Sequence, residues 1–165
     1  MQRIQQIYLF LIAAVVGAEL LMGIIVAPTL FFPKEILGDG VLSHFQSGQL
    51  MTAIFISYNK ALLALSVIIL VYEMVNFNNN RAESFNLRFS TLMIALIHLC
   101  LALVFILYFT DYIVEAQKSG AKATTTETFH AIHSASEWCM KIMVILQALL
   151  YFLRFPKRVK VKSEN

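Results

Sequence analysis

Four ionisable residues recur along one stretch of the chain, Phe129-His130-Ala131-Ile132-His133-Ser134-Ala135-Ser136-Glu137-Trp138-Cys139-Met140-Lys141. At about 100° per residue, His130, His133, Glu137 and Lys141 fall within an arc of roughly 80° on one helix face, with Cys139 on the opposite side. Neutral imidazole nitrogens are the usual ligands of zinc, copper and haem iron, and two of them at i, i+3 can share one ion. His44 can reach that ion from the start of another helix. Met51, on the face of His44, offers a soft thioether that suits Cu(I). Glu137 serves either as a ligand or as the partner that fixes a histidine tautomer. The competing reading is that His44 and His130 sit at a headgroup interface and bind water.

A second set of charges, Glu19, Lys60, Glu137 and Lys141, lies inside apolar runs. Ionisable groups within membrane helices are costly and usually face a bundle interior. Glu19 with Lys60, and Glu137 with Lys141, can neutralise one another, the second pair also at a favourable i, i+4 spacing. Because desolvation of a buried ion pair can exceed its Coulomb gain, charge compensation or proton coupling is the functional counterpart of that packing reading. On an ideal helix Lys60 projects opposite His44 and so serves a different face from the histidines. His98 stands alone on its helix, flanked by Thr91, Ala95, Ala102, Phe105 and Phe109. Either it is hydrogen-bonded to a neighbouring helix or it is an axial ligand of haem b, with His133 or His44 as the other.

The composition says what surrounds these residues. Of 165 residues, 59% are hydrophobic and 14% charged, whereas soluble domains are about 45–50% apolar and about 25% charged. A core this small cannot bury the excess, so the solvent is lipid and the chain is a multi-pass integral membrane protein. The net charge of +3 is too small to suggest a nucleic-acid partner. Much of it sits in a tail, Arg154, Lys157, Arg158, Lys160 and Lys162, of the kind that marks the cytoplasmic end of a helix. Cys100 and Cys139 form neither a disulfide framework nor a CxxC motif. Phosphate loops, nucleophile elbows and HExxH motifs are absent from the sequence, so an enzyme is the weaker reading.

Four apolar runs predict helices over about 7–32, 44–77, 86–114 and 129–155, each long enough to cross a bilayer that needs about 20 residues. The first run continues past a signal-peptide-like Val16-Gly17-Ala18 and contains Glu19, which predicts an uncleaved helix. Pro28 predicts a kink in its last turn and Pro33 its end. A loop follows from Lys34 to about Leu42. Asn76 to Arg81 reads as a turn, Glu115 to Thr128 as a polar loop. Thr126 or Thr128 caps the fourth helix and Pro156 closes it, leaving a tail at 156–165. Gly23 and Ala27, on the side of Glu19, predict close approach of a neighbouring helix. With the N-terminus inside, eight basic residues flank the spans on the cytoplasmic side and three on the other. The expected architecture is one all-α domain, a four-helix transmembrane bundle oriented N-in and C-in.

Short motifs add a resemblance. Ala27-Pro28-Thr29-Leu30-Phe31, Gly48, and Phe129-x-x-x-His133-x-x-Ser136 resemble the transmembrane protein 205-like family, a domain of unknown function. That family is distantly similar to the copper-resistance protein D group and to HemJ-type protoporphyrinogen oxidases. The resemblance implies a compact bundle whose histidines handle copper or haem, with Pro28, Phe31, Gly48, Phe129, His133 and Ser136 as matching positions. The first helix has no histidine, so the first-helix motif of the HemJ type has no counterpart.

The expected function is therefore an outward-facing intramembrane site in a bacterial inner-membrane protein, at His44, His130, His133 and Glu137, that binds or transports copper or another transition metal. The alternatives are a haem b redox or electron-transfer protein, and a structural subunit that joins a homo-oligomer or larger membrane complex.

Overall fold

A computed structural model describes residues 2–155 of the chain; the expected basic tail at 156–165 and Pro156 lie outside them. Four helical spans, Arg3–Phe31, His44–Asn79, Phe85–Lys118 and Glu127–Arg154, are long and apolar enough to cross a membrane, and no strand occurs among the described residues. Each span packs against the next in sequence, and the first closes the ring against the fourth. Short connections make sequential neighbours antiparallel, as in an up-down-up-down bundle.

Several ends are set by identifiable side chains. Ser43 and Gln46 form a reciprocal capping box on α4 (His44–Asn79), after a short α3 (Lys34–Leu37) inside the expected loop. Ser84 caps α5 (Phe85–Val104), and Thr126 caps α7 (Glu127–Arg154) by accepting from the Phe129 amide at 3.2 Å. The turn expected over Asn76 to Arg81 starts late: Asn76 to Asn79 finish α4, Asn80 follows as its C-cap, and the chain reverses from Arg81 onwards. The third span also outlasts its expected end at Val114, because α6 (Asp111–Lys118) carries it on by four residues. Within the loop read from Glu115 to Thr128, Ala121–Thr125 form a 3-10 turn.

Two spans contain a π-turn. In the first, Met22–Val26 separate α1 (Gln2–Leu21) from α2 (Ala27–Phe31), and the Ala27 amide donates to the Met22 carbonyl. Pro28 therefore falls in the first turn of a resumed helix, where its missing N–H is harmless, and the expected proline kink becomes a π-bulge. In the third, Phe105–Thr110 widen the helix between α5 and α6, and the Thr110 hydroxyl donates to the Phe105 carbonyl at 2.9 Å.

Apolar packing is dense in one half of the bundle. Tyr8, Leu9, Ile12, Leu65, Ile69, Ala95 and Leu150 make one buried cluster; Leu62, Ala102, Phe105, Cys139 and Met143 continue it towards the middle. Below the first cluster lies a buried ion cluster. Arg154, 3% exposed, pairs with Glu73, 0% exposed, through both its Nε and Nη2 atoms. Its Nη1 reaches Glu83 at 2.5 Å and its Nη2 reaches the Thr91 hydroxyl at 2.6 Å. Tyr8 donates to Glu73 at 2.9 Å, and Gln5 donates to the Arg154 carbonyl at 2.7 Å. Arg154 is thus a structural ion at the base of the bundle, a correction to its reading as the first charge of the basic tail. Removing one partner of such a cluster strands the others in a dry site. Arg154→Ala is expected to cost about 3–5 kcal/mol in denaturant unfolding of the detergent-solubilised protein, and a combined Arg154→Met, Glu73→Leu, Glu83→Ala variant to recover much of that loss.

Candidate functional site

The other half of the bundle is hollow. All four spans line a partly open cavity of about 670 Å3, bounded by both π-turns and by the opening turns of α4 and α7. Its walls are mainly apolar and aromatic, including Phe55, Phe105 and Phe109. A volume on this scale, with few polar groups, is typical of small-molecule and cofactor sites.

The π-turns help create this space. Met22, Gly23 and Ile24 of one, and Phe105, Phe109 and Thr110 of the other, form parts of the wall. A Cβ added at Gly23 would meet nothing within 4 Å, so the expected close approach of a helix there does not occur; the glycine faces open space. Gly48 is tighter, since a Cβ would meet the Gln117 amide at 3.6 Å.

His44, His130, His133, Glu137 and Lys141 all border the cavity on its open side, where the side chains of His133, Glu137 and Lys141 stay 43%, 52% and 57% exposed. His44 tilts against Phe31 with ring centroids 5.0 Å apart, and His133 stacks on Phe129 at 5.8 Å. Glu137 bridges its neighbours one turn either side, 3.5 Å from His133 Nε2 and 3.6 Å from Lys141 Nζ. Ser136, buried beneath, donates to the His133 carbonyl at 2.6 Å. Among the described residues no three His, Cys, Asp or Glu side chains converge on a shared metal position. Three methionines border the same space: Met22 and Met51 are buried, and Met140 is half-buried.

At the inner end of the cavity stands Glu19, 5% exposed. Its Oε1 accepts from the Tyr58 hydroxyl at 2.5 Å and from the Gln147 amide at 3.1 Å. Gln147, fully buried, also lies 2.9 Å from His98 Nε2. The amide nitrogen carries two hydrogens, enough to serve both Glu19 and His98. Glu19 Oε2, Gln147 Oε1 and His98 Nδ1 are buried without a hydrogen-bond partner among the described residues. One chain of polar groups, Tyr58–Glu19–Gln147–His98, thus crosses all four spans.

The expected pairing of Glu19 with Lys60 is not formed. Lys60 is exposed on the outer face of α4 and outside the cavity, as its phase on the helix implies. The partners of Glu19 are neutral. His98, considered as an axial ligand, has its Nε2 engaged by Gln147 and does not line the cavity; a bond to a neighbouring helix was the other expectation for it. Sequence reasoning missed Gln147 and Tyr58. A glutamine seven residues before the end of a 28-residue apolar span is itself a signal, since a neutral amide in lipid also needs partners.

No curated protein and no solved structure matches the chain. A family model described as a domain of unknown function, DUF4149, matches residues 10–122, a stretch that holds Glu19, His44, Tyr58 and His98 but stops short of the fourth span. That match spans well over half of the sequence, and the chain belongs to the DUF4149 family.

Proposed function

We propose that this protein is a membrane-embedded binding or transport protein for a soft metal ion of the copper type, taken up in the cavity between its four spans. The observation that carries the reading is one space bordered by thioethers and imidazoles together: Met22, Met51 and Met140 with His44 and His133. Thioether and imidazole donors favour Cu(I) over hard cations, and an apolar wall excludes competing water. These donors are spread along the wall instead of gathered at one point, an arrangement that suits a mobile, low-coordinate ion better than a closed structural site. The resemblance of the Ala27–Phe31 and Phe129–Ser136 motifs to the transmembrane protein 205-like family, and more distantly to copper-resistance protein D, supports the same reading. His130, at the rim, and Glu137 then capture and orient.

A second reading, a haem b protein, draws on the cavity volume and the aromatic walls around His44 and His133. It no longer includes His98. A bacterial inner-membrane location, N-in and C-in, accords with Arg3, Arg81 and Arg88 at the end opposite Lys34, Lys118 and Lys122. The cavity then opens outward.

Protein purified from copper-replete cells is expected to hold close to one copper per chain by elemental analysis, falling severalfold in a Met51→Ala, His133→Ala variant. A metal-free wild-type protein would sink the copper reading. A Soret band that shifts on reduction would establish the haem reading instead. In a cysteine-free background, a charged thiol reagent added outside intact cells is expected to modify Glu137→Cys but leave Lys60→Cys unlabelled; labelling only from the cytoplasmic side would reverse the orientation.

A further inference from the structure

Glu19 is an unusual carboxyl group for an apolar bundle. Both of its hydrogen-bond partners donate to the same oxygen, Oε1, while Oε2 is buried and unpartnered in a residue that borders the cavity. No cationic side chain forms an ion pair with it among the described residues: Lys60 points away, Lys141 pairs with Glu137, and Arg154 is committed to Glu73 and Glu83. An isolated negative charge in such surroundings is strongly unfavourable. Two things neutralise it, a proton on Oε2 or a cation delivered through the cavity to the same atom.

We propose that Glu19 is the seat of a singly charged, weakly hydrated cation, which exchanges there for one proton. The stoichiometry follows from charge. The carboxylic acid and the incoming cation become a carboxylate–cation pair, and the displaced proton leaves through the cavity, so the site is neutral before and the pair is neutral after. A divalent ion leaves one uncompensated positive charge in an apolar pocket, which is costly for the same reason. A strongly hydrated ion loses its water to walls that return few hydrogen bonds. Aromatic rings at Phe55, Phe105 and Phe109 in the wall favour instead a soft or lipophilic cation. Cu(I), with the thioethers of the wall as donors and Glu19 as its counter-charge, and an organic onium ion share the single charge and the weak hydration. The inference rests on the cavity being the ligand site, as proposed above, but not on the ligand being copper.

The surrounding groups have defined parts. Tyr58 and the Gln147 amide stabilise Oε1 in the charged form, and Gln147 links the site to His98 behind it. The other titratable groups on the cavity, His44, His130, His133, Glu137 and Lys141, belong to its mouth and outer wall. They affect entry; the exchanged proton is that of Glu19.

The test uses the full-length protein in lipid nanodiscs with two probes, Cu(I) supplied from a chelate buffer and tetraphenylphosphonium. Each binding event is expected to release one proton into weakly buffered medium, and affinity to rise about tenfold per pH unit over the range in which Glu19 is protonated. The infrared difference spectrum should lose a carboxylic-acid C=O band on binding. Glu19→Gln should abolish the release, the band and most of the binding. Tyr58→Phe keeps the carboxyl group but lacks the donor to its charged form; it should weaken binding severalfold while still releasing one proton, which gives a readout if Glu19→Gln misfolds.

Proton release with tetraphenylphosphonium but no binding of Cu(I) would support the exchange site and overturn the copper reading. Cu(I) binding that is independent of pH and unaffected in Glu19→Gln would overturn the exchange site and keep copper. Binding of neither probe would overturn both. Equal proton displacement by Zn2+ or Mg2+ would overturn the restriction to singly charged cations.

Discussion

Within a bilayer, apolar helix faces gain little by leaving lipid for one another, so a small bundle depends on close packing and on polar groups that must find partners inside it. Here that constraint falls on Arg154. Its guanidinium binds Glu73 of the second span, Thr91 of the third and Glu83 of the intervening turn, while Tyr8 and Gln5 attach the first span to the same cluster. Every span is tied at this one end. Arginine suits the role because its planar fork holds five donors in a fixed geometry, whereas lysine offers three on a single point charge.

Fixing one end leaves the other free to be open. Dense packing from Tyr8 to Met143 separates the ion cluster from the cavity, and the Tyr58–Glu19–Gln147–His98 chain crosses that region between its two apolar clusters. The bundle therefore has three layers along its length: a charged base, an apolar middle whose two clusters are separated by the polar chain, and a hollow top lined by histidines. Such an order gives direction to a structure whose four helices are otherwise alike.

Much of this was legible in the sequence, and the failures have physical reasons. Helix number, approximate bounds and caps follow from apolar run length and from Thr126, and the stripe from His130 to Lys141 follows from helical phase alone. Phase also put Lys60 on a different face from His44. The partners of Glu19 were not legible, because they depend on which residues of other spans stand at its depth, and a charge invites the search for an opposite charge. Tyr58 and Gln147 are neutral. Arg154 was obscured by its neighbours in sequence, since the basic residues that follow it give the whole segment the look of a membrane-surface tail. The π-turns leave no periodic signature, being only five and six residues long.

Those turns carry a further geometric implication. A π-turn is an α-helix with one residue inserted, so the segments on either side of it keep the phase that they would have if that residue were absent. Elsewhere in a span, losing or gaining a residue rotates everything beyond it by about 100° and turns a lining face into a lipid face. At Met22–Val26 and Phe105–Thr110 the chain is free of that penalty. Both points lie on the cavity and neither on the ion cluster, so a residue lost or gained at either turn would reshape the cavity wall while leaving the charged base in register.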